Sequence, residues 1–358
     1  MKNSQFSIFN FQFSILATLI FAFLVSCKDD TFKEEDIDLS KGIFVVNEGN
    51  FMANNGEISF YNTETGELTN NIYSKQNNEA VLGDVVQSMC ISGDFALISV
   101  NNSKKIELVD VNNFKHVSTI TDVVYPRYII PVKENICALT NGKNPGEVCI
   151  IDVSKKEITK RITVGTEPEN LLLANNKIFV ANGAWGHDST VSIIDAQTLE
   201  LTKTIVVGDG ATDLVSDKNG NIWVLCQGKA EYDAGEDTPS KLVCINPDTY
   251  DIIEEVTIGM VGDDFYPTRI ASYLNEDYIY YIEQTGVYRI NINNPQEKEW
   301  FIMGSYYGLE INQENGDVYV FFDNGFTSAG IMTIYDKAGN KLNDLLEVGI
   351  GPNGCVFK

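Results

Sequence analysis

Two strings, Tyr125-Pro126-Arg127 and Tyr266-Pro267-Thr268-Arg269, set an arginine just after a Tyr-Pro corner. Two guanidinia brought to one axis could clamp an anion through planar, bidentate bonds. They could equally pair with Glu48, Glu167 or Glu283 as structural ion pairs. Histidine chemistry is sparse: the chain has only His116 and His187. His187 stands beside Trp185, where a proton shuttle or a metal ligand is conceivable, but a single His is more often neither. No Ser sits in a Gly-x-Ser-x-Gly elbow, and no Cys-x-x-Cys or His-rich spacing suggests a metal site. Asp217-Lys218-Asn219-Gly220-Asn221 offers oxygen ligands without the spacing and closing Glu of a calcium loop, so a hairpin turn is expected there. The expectation is a chain with no catalytic constellation, no metal and no cofactor.

The elements that must position these residues come from a repeated phrase. A β-branched pair is followed by Asp or Asn, a turn, and a short strand ending in Val-Gly or Ile-Gly. It reads Ile150-Ile151-Asp152 with Val164-Gly165, Ile193-Ile194-Asp195 with Val207-Gly208, Cys244-Ile245-Asn246 with Ile258-Gly259, and Ile334-Tyr335-Asp336 with Val348-Gly349. Weaker copies end at Asn62, Asp110 and Asn291. From Asn62 to Asp336 the spacings are 48, 42, 43, 51, 45 and 45 residues. Such a period in a strand-rich chain marks a β-propeller with one four-stranded blade per repeat. The predicted fold is therefore all-β, with seven antiparallel blades across residues 42–358. Blade four is predicted as strands at 170–173, 177–181, 190–195 and 201–207. Gly42-Ile43-Phe44-Val45-Val46 lacks a preceding strand and Gly354-Cys355-Val356-Phe357 lacks a following one. Pairing the two ends would close the ring and remove its open sheet edges.

In such a ring, the loops between second and third strands and the connections between blades emerge on one face. That face collects Asn47, Glu48, Asn50, Phe51, Gln87, Asn101, Arg127, Asn141, Trp185, His187, Gln227, Tyr266, Arg269, Glu283, Tyr306, Asn324 and Phe326. Hydrogen-bonding and stacking side chains on loops held by a rigid scaffold suit recognition. The Asn-Gly pairs would also serve as plain turn formers, and the aromatic residues as packing between blades.

The net charge of −24, with 50 acids against 26 bases, argues against nucleic acid as a partner, since phosphate binding needs clustered Lys and Arg. The front end reads as targeting rather than fold. An apolar run from Phe11 to Leu24 ends in Leu24-Val25-Ser26-Cys27, the form of a secretory signal over residues 1–26. It resembles a bacterial lipobox, which implies lipidation of Cys27 and a lipid-anchored tether over 27–41. Lys28-Asp29-Asp30 resembles the acidic surface-export signal of Bacteroidota lipoproteins, which implies the outer membrane and exposure at the cell surface. Six further cysteines lie in strand-like runs and read as buried thiols. Cys137 with Cys149, and Cys226 with Cys244, flank hairpins and could face each other.

With the repeats assigned, the chain resembles the YncE-like family of exported seven-bladed propellers. The repeats 148–165 and 191–208 carry the match. Gly42-Ile43-Phe44-Val45-Val46-Asn47-Glu48-Gly49-Asn50-Phe51 resembles the opening of the Bacteroidota surface lipoproteins in that family. Among these, the BtuG-type proteins capture vitamin B12 and related corrinoids for a TonB-dependent outer-membrane transporter. The resemblance implies non-catalytic capture of a corrinoid or other small molecule. Two other classes stay open: a scaffold binding protein or glycan, and a metal-dependent lactonase or lyase, for which Glu48, Glu167, Glu283 and Asp323 are scattered carboxylates. Fold alone does not choose.

Overall fold

In a computed structural model of the chain, residues 37–183, 186–230, 237–261 and 267–358 are described. The signal segment, Cys27, Trp185 and Tyr266 lie outside the described residues. Of the segment read as tether, the described part runs against the first blade, with Leu39 2% exposed in its core.

In four blades the repeated phrase folds the same way. Its β-branched pair ends the third strand of a blade, where the register with the fourth strand slips at Leu108/Val109, Ile150/Ile151, Ile193/Ile194 and Cys244/Ile245. Such bulges bend the strand and increase its twist. The Asp or Asn that follows turns the chain. Asp195 Oδ1 accepts from the backbone N–H of Gln197 at 2.9 Å and Thr198 at 2.7 Å. Asn246 does the same for Asp248 and Thr249, and Asn62 for Glu64 and Thr65. This is the side-chain turn mimicry that Asn and Asp supply.

The closing glycine answers a different need. A Cβ on Gly165 would come within 2.6 Å of the Asn182 side chain, and one on Gly349 within 2.7 Å of Asn47. Each asparagine ends the second strand of the following blade. The end of one sheet is thus seated against its neighbour at a distance only glycine allows.

The result is seven four-stranded antiparallel sheets. The innermost strands are Val86–Ser92, Pro126–Lys133, Pro168–Ala174, Ala211–Ser216, Ile270–Ser272, Gly308–Ile311 and Pro352–Phe357. The last of these pairs with Gly42–Asn47, Ile43 opposite Phe357 and Val45 opposite Cys355. Strands from the two ends of the chain so complete one blade, and the molecule is a seven-bladed β-propeller. Apolar side chains from adjacent sheets interleave. Between the first and second blades Phe44 stacks on Phe114 and meets Phe60 at a tilt. The outermost strands are wetter: in Glu200–Val206 no residue is fully buried. Blade four forms at Pro168–Ala174, Lys177–Asn182, Thr190–Asp195 and Glu200–Val206, within a few residues of the expected bounds.

The cysteine register corrects one expectation. Cys137 lies opposite Ile151 and Cys149 opposite Leu139, while Cys226 faces Lys241 and Cys244 faces Trp223. Neither hairpin brings its two thiols face to face. The described cysteines are free and buried.

Candidate functional site

The innermost strands begin at the face where the loops gather, so their first residues ring the axis. A cavity of about 530 Å³ opens there, lined by residues from all seven blades. The first blade contributes Glu48, Asn50 and Phe51; the second, Gln87 and Asn101; the third, Arg127 and Tyr128. Glu169, Thr212, Gln227, Arg269, Tyr307 and Phe326 complete the circuit. Below it a second space of about 210 Å³ runs between the innermost strands, past Asp213, Glu310 and Asn353. Gln87, Tyr128 and Arg269 border both.

The loop that presents Phe51 is braced by its own amides. Asn50 N–H donates to Asn55 Oδ1 at 2.7 Å, and Asn55 Nδ2 returns a bond to Asn50 Oδ1 at 2.9 Å. Asp84 accepts from Met52 N–H at 3.0 Å with each carboxylate oxygen. Asn50 Nδ2 also donates to the Phe326 carbonyl. Phe51 is left 71% exposed at the mouth, while Phe326 meets the Tyr307 ring edge-on at 5.3 Å.

The charged groups of the floor are internally matched. Arg127 Nε donates to Glu169 Oε2 at 2.8 Å, which corrects the expected partners Glu48, Glu167 and Glu283. Glu283 pairs with Lys298 at 2.8 Å instead. Arg269 forms no direct ion pair among the described residues. It is 9% exposed, lies over the Tyr128 ring at 5.4 Å, and donates to the Thr268 carbonyl at 3.0 Å. Burial works against its charge, but Tyr128 and Asp213, then Tyr307 and Glu48, hold its pKa above the ordinary guanidinium value. Glu48 accepts from Asn353 Nδ2 at 2.8 Å and from the Tyr307 hydroxyl at 3.1 Å, and burial pushes its carboxyl upward. Asp213 accepts from Asn170 Nδ2 at 2.6 Å and from Leu214 N–H at 2.9 Å. Burial raises it to about 6. Glu310, facing the lower space, rises to about 8 through burial and the Asp213 charge. The floor therefore holds its cations and anions close together in a low-dielectric setting.

Residues 41–345 match the family model described as a domain of unknown function, DUF5074. The chain belongs to the DUF5074 family. No curated protein matches it. Among solved structures, this DUF5074 propeller is similar to a quinonprotein alcohol dehydrogenase-like protein from Bacteroides thetaiotaomicron, with TM-score 0.67, 17% identity, and coverage of 90% of this chain and 79% of that one. It is similar to a hydrazine synthase from Kuenenia stuttgartiensis (TM-score 0.60, 14% identity, 76% of this chain, 92% of that one). It is also similar to a functionally unknown protein from Desulfotomaculum acetoxidans (TM-score 0.64, 11% identity, 88% and 98%). At these identities the likenesses bear on the fold alone.

Of the residues expected on the loop face of this DUF5074 chain, the structure brings Glu48, Asn50, Phe51, Gln87, Asn101, Arg127, Gln227, Arg269 and Phe326 to the cavity. It places others elsewhere. Asn47 is 1% exposed and its Nδ2 donates to Val45 O, Glu57 O and Ser59 Oγ. Asn141 is fully buried, accepting from Val124 and Tyr125 N–H and donating to Glu147. Tyr306 turns its hydroxyl to the Met303 carbonyl at 2.8 Å, and its neighbour Tyr307 lines the cavity instead. Asn324 braces its own turn through Ser328. His187 is exposed on the loop after the second strand of blade four.

Tyr128, Glu169, Thr212, Thr268 and Tyr307 also line the cavity; all but Tyr128 lie on connections that the sequence assigns to the loop face. The usable signal was the proline before Arg127, Glu169 and Thr268. Each marks the point where the chain enters an innermost strand, so the residues just beyond it reach the axis.

Proposed function

We propose that this propeller captures a small molecule at the axial mouth without transforming it, and that the molecule is a corrinoid. One observation carries the reading: a single cavity receives side chains from every blade, so a ligand seated there touches the whole ring. A rigid, preformed site loses little ordering entropy on binding. The volume lies within the range typical of ligand pockets. Because Arg127 is paired with Glu169 and Arg269 lies among Tyr128, Asp213 and Glu48, the floor favours a neutral, amide-bearing ligand over a free anion. Gln87, Asn101 and Gln227 supply amide partners, and Phe51 and Phe326 supply apolar faces. A corrinoid would lie across the mouth with its amide edge directed inward. The resemblance of the opening strand, Gly42 to Phe51, supports this ligand.

Within the same proposal, Cys27 carries the lipid, the protein faces outward from the outer membrane, and the ligand passes to a TonB-dependent transporter. Exposed apolar side chains on the same-face connections, Met52, Met260 and Met303, suit a transient contact with such a partner.

Isothermal titration of the purified chain with cobalamin tests the ligand. Saturable heat at micromolar protein is expected. No heat and no change in the cobalamin spectrum would remove the corrinoid. Metabolic labelling with a fatty acid, lost in Cys27→Ser, tests the anchor.

A further inference from the structure

One pair of side chains lies outside the axial site and has no part in it. Cys90 sits on the innermost strand of the second blade, Val86–Ser92, and Cys137 on the second strand of the third, Ile136–Asn141. Their sulfurs are 3.8 Å apart. Cys90 is 5% and Cys137 0% exposed, and both belong to the apolar cluster between these two blades. Among the described cysteines no other two sulfurs are in contact. Cys149, in the same cluster, is instead held by Glu147 and Arg161.

We propose that Cys90 and Cys137 are a disulfide site that fastens blade two to blade three. Blades in this ring are joined mainly by side-chain packing, since the ladders of hydrogen bonds run within each sheet. A bond here would be a covalent link between two sheets. The sulfurs need to close by roughly 1.8 Å to reach the bonding distance of about 2.0 Å.

The oxidant is a disulfide, either oxidised glutathione or a dithiol–disulfide exchange protein. One cysteine thiolate attacks it, forming a mixed disulfide and releasing one thiol. The second thiolate then displaces the other thiol and forms the Cys90–Cys137 bond. The two protons and two electrons lost by the cysteines appear on the two released thiols. Because both sulfurs are buried once the blades pack, the exchange takes place while the chain folds.

The test uses the full chain, refolded with oxidised and reduced glutathione or with reductant alone. After refolding in the redox buffer, alkylation in denaturant should find two fewer thiols and a mass lower by two hydrogens. Peptide mapping should recover the Cys90 and Cys137 peptides as one species that reductant separates. The linked form should melt several degrees above the reduced form. Cys137→Ala should show no response to reductant, while Cys226→Ala should respond as the parent chain does. If the alanine chain fails to fold, mapping of the parent chain decides alone. A full complement of thiols after refolding in the redox buffer, or a link joining other cysteines, would overturn the site. A Cys90–Cys137 link without a change in melting would overturn its fastening role.

Discussion

Asn353 Nδ2 donates to Glu48 Oε1 at 2.8 Å across 305 positions of sequence. The same nitrogen donates to the Gln87 carbonyl at 2.9 Å, and Glu48 also accepts from Tyr307. One buried amide thus joins the opening of the chain, its last strand and the second blade at the floor of the mouth. Asn353→Ala leaves the Glu48 carboxylate and the Gln87 carbonyl each short of a donor. A loss of about 1–3 kcal/mol in urea unfolding is expected. An unchanged unfolding midpoint would mean that water replaces the amide at no cost.

Phe51 separates binding from stability. It is exposed, and its loop is fixed by Asn50, Asn55 and Asp84 rather than by its own ring. Phe51→Ala should leave the thermal midpoint in place and weaken ligand capture about tenfold, or roughly 1.4 kcal/mol. Equal ligand affinity in titrations of the two chains would place the ligand away from this rim.

The Arg127–Glu169 pair is a stability element with a characteristic asymmetry. Arg127→Ala strands the Glu169 carboxylate in a largely enclosed setting, and a cost on the order of 3 kcal/mol is expected. Arg127→Met with Glu169→Leu removes both charges and should recover most of it. Denaturant unfolding of the single and double variants measures the difference. A double variant no better than the single one would show that the pair's hydrogen bonds, rather than the stranded charge, dominate.

The lower space makes stability fall with rising pH. Asp213 is raised from 3.8 to about 6 and Glu310 from 4.5 to about 8, each mainly by burial. Both stay protonated in the folded ring at pH values where the unfolded chain has released its protons. Their contribution is complete below the ordinary carboxylate range and is lost as pH rises through about 6 and then about 8. Glu310→Gln should flatten the upper step, which is on the order of 2 kcal/mol once the partial exposure of Glu310 is allowed for. Urea midpoints measured at about pH 5, 7 and 9 read the slope. A parallel slope in Glu310→Gln assigns the loss to other groups.

The ring was legible in the sequence because its signal is repeated. Asp152, Asp195 and Asn246 mark the same turn in three blades, and each copy reinforces the others. The same repetition hid part of the site. Asn47, Asn141 and Asn182 end the second strand of their blades and spend their amides inside the fold. A polar residue that recurs once per blade serves the blade. Those at the mouth differ more from blade to blade: among Gln87, Arg127, Glu169, Thr212 and Arg269, which share a location, only the two arginines share a side-chain type. Partner choice was not readable either. Strand alternation would set Glu167 and Glu169 on one side, but Glu167 has a left-handed backbone (φ 44°) and lies before the strand, whose register slips between Pro168 and Leu171. Tyr306 and Tyr307 pose the same difficulty, since adjacent residues there point to different sides.

Strand Pro352–Phe357 is made after the other six sheets, yet it fills the inner position of the sheet begun by Gly42–Asn47. Until it arrives, the earliest-made sheet waits with a bare edge and the mouth lacks Asn353 beneath Glu48. The floor of the axial cavity is therefore incomplete in any copy not yet translated through Asn353.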